Sequence, residues 1–350
     1  MYKKYSKPFS ETIKYRDYLI SDVQAHVAKE LDFENAYNQL PIRDLCILCF
    51  SKLSSLDLFR NGNKYIFCDY CGHLNGNHIL TENLTLDVYQ NMNLGVMNYD
   101  EYYLDKPELY LEKVNEIYLP KAKFFLQVLE SENLNQTLED IEIADFGTGS
   151  GHIVKAFRDI GFTKVRGLDP MRSAINHGRE IIGAEGLDFL ELGQSLSFLR
   201  ETSASVISML CTLPHVSNHH ETMSAMQSNA NIIYTYQKLP LFSLGAILDV
   251  LYPESNSRTL SGGHTHLYTN ESLAFLEEQY KLERVGEWRF GSDALDLYNN
   301  IIVGLKRIQA SDKSISKVSS KLLSALDGIQ EVIDKNDFQS EIHIVWKFLR

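Results

Sequence analysis

The segment Ile141-Glu142-Ile143-Ala144-Asp145-Phe146-Gly147-Thr148-Gly149-Ser150-Gly151 carries the residues best placed to hold a small ligand. A short apolar run ends in an acid, a glycine-rich turn follows, and a helical pattern starts at once. Strand, tight turn and helix N-terminus in that order form a nucleotide cradle, because glycine admits φ > 0 and lets a ligand approach main-chain N–H groups. A dinucleotide fingerprint G-x-G-x-x-G would need its third glycine at position 152, where His152 stands. The turn reads acid-x-G-x-G-x-G instead. Further on, Lys164-Val165-Arg166-Gly167-Leu168-Asp169-Pro170 reads as a second strand ending in an acid. A carboxylate there, an acceptor only, suits the two hydroxyl protons of a ribose. Gly193-Gln194-Ser195, after a third short strand, offers the Gln194 amide to a base edge. The candidate cofactor contacts are Asp145, Phe146, Gly147, Gly149, Gly151, Asp169 and Gln194.

Two cysteine pairs form a second constellation, Cys46-Ile47-Leu48-Cys49 and Cys68-Asp69-Tyr70-Cys71, with eighteen residues between them. C-x2-C repeated at that interval is the spacing of a tetrahedral four-thiolate zinc site built from two knuckles. Free buried thiols and disulfides are the alternatives, and disulfides do not persist in a reducing compartment. Four thiolates close the coordination shell, so such a zinc would be structural, holding together a module too small to fold on its core alone. Gly72 suits the turn after the second pair; Phe50 suits the equivalent place in the first pair less well. Cys211, in an apolar run, reads as a small buried residue.

Three histidines fall where the carboxyl ends of strands should open into a cleft. His215 lies in Cys211-Thr212-Leu213-Pro214-His215-Val216, and His264 and His266 lie in Gly262-Gly263-His264-Thr265-His266-Leu267-Tyr268-Thr269. Each is a candidate general base, with a hydrogen-bonded packing role as the alternative. His219, His220 and His343 read as surface or packing residues, and the acidic loop from Phe290 to Asp296 as a turn or a wall of the acceptor pocket.

These residues need a scaffold, and the chain supplies one. At 350 residues and 44% hydrophobic it can bury a large core and divide into more than one unit. A formal net charge of −12 argues against general affinity for nucleic acid or anionic lipid. Met1 to Pro8 is followed by polar sequence, so no secretion signal is expected; the longest apolar stretch, Leu241 to Tyr252, carries Asp249 and falls short of the roughly 20 residues of a bilayer span. The expected setting is cytoplasmic, without membrane partners.

The pattern divides into a helical arm over 1–40, a zinc-ribbon module over 41–85, a helical linker over 86–135, a cofactor-binding domain over 136–310 and a helix–strand extension over 311–350. Strands are predicted at Ile141–Phe146, Lys164–Asp169, Leu187–Leu190, Ser205–Leu210, Ile232–Tyr236, Glu283–Trp288 and Asn300–Leu305, alternating with helices at Gly151–Ile160, Arg172–Ile182 and Ser272–Tyr280, the last capped by Thr269. This predicts an α/β fold: a doubly wound, Rossmann-like, mostly parallel sheet of seven strands. A helix over Val318–Ile333 and a strand from Glu341 follow.

The acid-x-G-x-G-x-G turn with Asp169 beyond it resembles the first motif of class I S-adenosylmethionine-dependent methyltransferases. The cysteine pairs, Tyr99, Tyr102, Tyr103, Tyr118-Leu119-Pro120-Lys121-Ala122-Lys123, the His-x-His-x-Tyr-Thr loop and Glu341–Lys347 extend the resemblance to bacterial members with an amino-terminal zinc ribbon. Those enzymes are often associated with methylating sugars or other intermediates of surface glycans and natural products. The resemblance implies S-adenosylmethionine as cofactor, structural zinc, and a small-molecule acceptor, a saccharide or sugar-like metabolite. A protein or RNA acceptor is the alternative; an NAD-dependent oxidoreductase and a non-catalytic zinc-ribbon interaction protein are the readings from other classes. Many relatives have Glu-His after the fourth strand where this chain has Pro214-His215, so a carboxylate role is not carried over.

Overall fold

The computed structural model describes residues 1–7, 31–54, 58–60, 63–89, 106–132, 136–239, 243–252, 260 and 264–349. The chain opens with strand β1 (Tyr2–Tyr5). Of the predicted amino-terminal helical arm, residues 31–37 are helical and 8–30 lie outside the described residues. The cysteine pairs flank strands β2 (Leu58–Arg60) and β3 (Asn63–Phe67), and strand β4 (Leu74–Gly76) and helix α1 (Glu82–Tyr89) follow the second pair. Tyr99, Tyr102 and Tyr103 lie outside the described residues. Helix α2 (Pro107–Lys113) runs through a π turn (Val114–Tyr118) into α3 (Leu119–Ser131).

Strands and helices then alternate: β5 (Glu142–Phe146), α4 (His152–Asp159), β6 (Lys164–Asp169), α5 (Arg172–Ile182), β7 (Leu187–Phe189), α6 (Ser195–Glu201), β8 (Val206–Leu210), α7 (His219–Asn229), β9 (Ile232–Lys238) and α8 (Leu244–Leu251). A two-residue strand β10 (His266–Leu267), α9 (Asn270–Tyr280), β11 (Leu282–Phe290), α10 (Asp293–Arg307), α11 (Asp312–Lys335) and β12 (Glu341–Phe348) complete the order.

The large sheet runs β1-β11-β12-β9-β8-β5-β6-β7. Strands β5 to β9 pair in parallel, and β12 lies antiparallel between β9 and β11. The order reverses between β5 and β8, which makes the carboxyl ends of these two strands the switch point where doubly wound sheets bind ligands. Both faces are covered. Phe124, Phe125, Val154 and Phe157 pack on one side, and Met223, Met226, Leu273 and Leu276 on the other. That explains the mostly apolar run of β8, since a strand buried on both faces has no polar face to alternate.

The sheet holds eight strands rather than the predicted seven: one predicted strand is lost, and β1 and β12 are added. Asn300–Leu305, predicted as a strand, lies within α10. Ile301-Ile302-Val303 looks strand-like in isolation, but Leu295, Tyr298 and Ile302 recur at helical spacing and pack on Leu326 of α11. Asp293 and Asp296 in its first turn favour the helix N-terminus. The unforeseen strand is β1, a polar tetrapeptide on the parallel edge of β11, with the Trp288 indole donating to the Ser6 carbonyl at 2.8 Å. The helix and strand expected at the carboxyl end are present, and β12 sits inside the sheet.

The acidic loop belongs to the scaffold rather than to a pocket wall. Asp293 is fully buried; Oδ1 accepts from the Gly245 amide (2.9 Å), and Oδ2 from the Ser340 amide (3.1 Å) and Gln330 (3.2 Å). His343 packs among Tyr236, Trp288 and Phe290, as its packing reading expects. Among the described residues, no helix is long and apolar enough to cross a membrane. Asp293→Ala would orphan three buried donors, so it should destabilise the fold by about 3 kcal/mol or more in chemical denaturation; a wild-type midpoint would contradict this.

Candidate functional site

The cradle begins where β5 runs out. Gly147, Gly149 and Gly151 all hold positive φ (74°, 59° and 82°), the left-handed region that side chains resist. At Gly147 an added Cβ would also meet Thr212 Oγ1 at 2.4 Å. Thr212 itself donates to the Phe146 carbonyl at 2.8 Å, pinning the end of β8 against the turn. From the other side, the Tyr110 hydroxyl donates to the Ser150 carbonyl at 2.9 Å. His152, in place of a third fingerprint glycine, stacks on Tyr110 with ring centres 4.1 Å apart.

Asp169 reaches back from β6. Its Oδ2 accepts from the Gly149 amide and its Oδ1 from the Met171 amide, each at 2.7 Å. Burial raises its pKa to about 6, while those two amides pull the other way. Asp145, one strand over, is pushed up to about 7, by burial first and by the Asp169 charge in addition; Ser208, Thr148 and Lys121 oppose. Its Oδ1 makes no hydrogen bond of ordinary geometry among the described residues. An unsatisfied buried carboxylate oxygen beside an open-chain turn suits a ligand that brings positive charge or a donor.

The other candidate contacts separate. Phe146 turns its ring into the core, edge-on to Phe198, so it offers the cradle its backbone. Gln194 ends a 3-10 turn (Leu192–Gln194) and is exposed.

The four sulfurs of Cys46, Cys49, Cys68 and Cys71 lie within 4.8 Å of one another, with Cys46–Cys71 at 3.6 Å and Cys49–Cys68 at 3.5 Å. A tetrahedral zinc with 2.3 Å bonds sets its sulfurs about 3.8 Å apart, whereas a disulfide needs about 2.05 Å. The knuckles share one geometry. Phe50 and Gly72, each directly after a pair, have φ of 59° and 70°, and their amides donate to the carbonyls of Cys46 and Cys68. Phe50 therefore accepts the conformation that its position demands, with its ring exposed. Cys46, accepting from Cys71 and Asn75, is pulled down to about 5, while burial drives Cys68 up to about 11. A cation is what lets all four become thiolates together, and this donor set fits zinc.

The module is docked, not tethered. Strand β10 pairs antiparallel with β4, Gly76 donates to the Thr265 carbonyl, and Thr269, the capping-box residue of α9, donates to the Gly72 carbonyl at 2.7 Å. The joint absorbs one predicted base. His266 is fully buried and its Nδ1 lies 3.0 Å from His73 Nε2, with burial holding its pKa well below the ordinary imidazole value. His219 is likewise interior, 2.7 Å from the Tyr268 hydroxyl. His215 and His264 come together instead, ring centres 5.2 Å apart, and Cys211 joins them. Cys211 is half-buried rather than a core residue; the Cys-x3-His spacing across a turn is the signal that identifies it.

A sequence profile described as a methyltransferase domain matches residues 110–285. No curated protein matches the chain. Among solved structures it is similar to a plantazolicin methyltransferase (16% identity, covering 72% of this chain and 88% of that one, TM-score 0.40). It is also similar to a geranyl diphosphate C-methyltransferase from Streptomyces coelicolor (14%, 70% and 87%, 0.39) and to a cyclopropane-fatty-acyl-phospholipid synthase-like protein from Lactobacillus casei (12%, 68% and 93%, 0.40).

Cys68→Ser should cost the protein one bound metal ion in native mass spectrometry and lower its melting temperature; full retention of metal would refute the four-thiolate site. Gly147→Ala meets both a forbidden φ and Thr212, so adenosyl-ligand affinity in calorimetry should fall at least about tenfold; unchanged affinity would remove the turn from the site.

Proposed function

The chain belongs to the methyltransferase-domain family matched by residues 110–285, and from that premise we propose an S-adenosylmethionine-dependent methyltransferase acting on a small molecule, a saccharide or sugar-like intermediate. The observation that carries this reading is the meeting of three left-handed glycines with two buried aspartates at the carboxyl ends of adjacent strands. When bound, S-adenosylmethionine supplies a methyl group on a sulfonium, open to in-line displacement. The chain's own residues do the holding. Asp169 keeps lone pairs for ribose hydroxyls, the Gly147–Gly151 turn admits close backbone approach, and Asp145 answers positive charge. In such a transfer, much of the rate comes from orienting the two reactants, which is what this rigid strand-end frame provides.

Zinc in the four-cysteine cluster would hold the ribbon against α9 and β10. The saccharide class is supported by the sequence resemblance to ribbon-bearing sugar methyltransferases. A net charge of −12 does not favour a nucleic-acid acceptor. Five cysteines outside any disulfide suit a reducing, cytoplasmic setting.

Asp169→Ala should weaken S-adenosylhomocysteine binding about 10- to 100-fold, the value of one or two hydrogen bonds to a charged group; unchanged calorimetric affinity would remove Asp169 from the site. Both aspartates have folded-state values above the ordinary carboxylate one, so their contribution to stability is present near pH 4 and lost as pH rises through about 6 and about 7. A ligand bearing positive charge favours their ionised forms. Affinity should therefore tighten from pH 5 to pH 8 with release of protons, measured in buffers of different ionisation heat; tighter binding at pH 5 would contradict this.

A further inference from the structure

Three side chains outside the cradle converge beside it. Cys211 follows β8, His215 ends a 3-10 turn (Leu213–His215), and His264 stands just ahead of β10; one ligand atom from each lies within 4.8 Å of the others. We propose that these three hold a divalent transition-metal ion of the zinc class, separate from the four-cysteine cluster, with the coordination position that no described residue fills left for the methyl acceptor. This deepens the methyltransferase reading and depends on it only for what takes the fourth position.

The donor set points to that ion. One thiolate and two imidazoles form a borderline-soft group, and three protein ligands with an open fourth position distinguish reactive zinc sites from closed structural ones. The contrast exists within one chain: four sulfurs close one shell, and among the described residues Cys211, His215 and His264 alone form the other. Zinc would draw the three atoms to roughly 3.3–3.6 Å apart, a short closure from their present span. Cys211 and His215 are half-buried and His264 is buried, so the cluster has solid backing and a side reachable from solvent.

Backbone geometry supports a special task at Cys211. Its φ is 63°, a left-handed conformation for a residue with a side chain, held by its amide donating to the Tyr236 carbonyl at 3.0 Å. Such strain gathers at functional sites. The conformation breaks the alternation of β8 at its last step, next to Thr212. Because Thr212 bonds to Phe146 and packs on Gly147, the cluster adjoins the donor cradle. An oxygen-bearing acceptor, such as a saccharide hydroxyl, is the ligand class that suits the remaining position.

His264 is in turn set by the ribbon. The Tyr65 hydroxyl donates to its carbonyl at 3.3 Å, and Gly76 donates to that of Thr265 at 2.8 Å. The closed cation site thereby braces one ligand of the open one. The two histidines act as ligands that position the acceptor rather than as free bases.

The test is metal content of the full-length protein after incubation with Zn2+ and exhaustive dialysis, read by plasma mass spectrometry. Wild type should retain two equivalents, and Cys211→Ser and His215→Asn one each. Affinity for the second ion should drop at least about tenfold, since even changes behind a ligand cost about 10- to 100-fold. Co2+ added to protein carrying one zinc should give a thiolate-to-cobalt absorption that Cys211→Ser lacks, a readout on wild type that does not depend on the variants folding. A single equivalent in wild type, two in either variant, or no cobalt–thiolate band would overturn the site. S-adenosylhomocysteine binding is measured on the same samples. Its absence alongside two metal equivalents would sink the donor reading and leave the metal site standing; its presence with one equivalent would do the reverse.

Discussion

A carboxylate taken out of water must find donors, and that requirement organises this molecule around Asp169. It finds two amides, one in the glycine turn after β5 and one at the start of α5. The first of these bonds ties two adjacent strand ends into one frame. It needs Gly149 in a left-handed conformation, and hence the run of alternating glycines. Thr212 extends the frame to β8, and Tyr110 clamps it from α2. The cradle is thus built mostly of main chain and held by long-range contacts, so its shape survives while its charge adjusts to what binds.

The ribbon module contributes through the same economy of short contacts. Four sulfurs add to small hydrophobic clusters, and two strand residues, a glycine carbonyl and a helix cap dock the result on the large domain. Capping is central here, because Thr269 serves α9 and Gly72 at once. His73 and His266 are buried together at this joint, while His264, two residues earlier, stacks with His215.

Local patterns made the cradle legible. The glycine turn, Asp169, both cysteine pairs and the Thr269 cap are each encoded within a few residues of sequence, and each stands where spacing predicts. What escaped was long-range. Nothing in Tyr-Lys-Lys-Tyr at the amino terminus announces a strand until β11 offers it an edge. Ile301-Ile302-Val303 carries strand propensity, and only packing on α11 decides for the helix. Cys211, His215 and His264 are brought together by the β8 end and the ribbon, 49 residues apart along the chain between the last two, and no window of sequence contains all three. Phe50 shows the opposite case, where a residue with no evident preference takes the left-handed turn because the tight turn after the first cysteine pair demands it.

The central claim is that the glycine turn and the two aspartates form the seat of an adenosyl donor. A crystal structure of the protein grown with saturating S-adenosylhomocysteine tests it most directly. The account predicts the nucleoside lying across Gly147–Gly151 with its ribose hydroxyls on the Asp169 carboxylate. Well-ordered crystals in which that seat holds only water, or in which the nucleoside lies elsewhere, would contradict it.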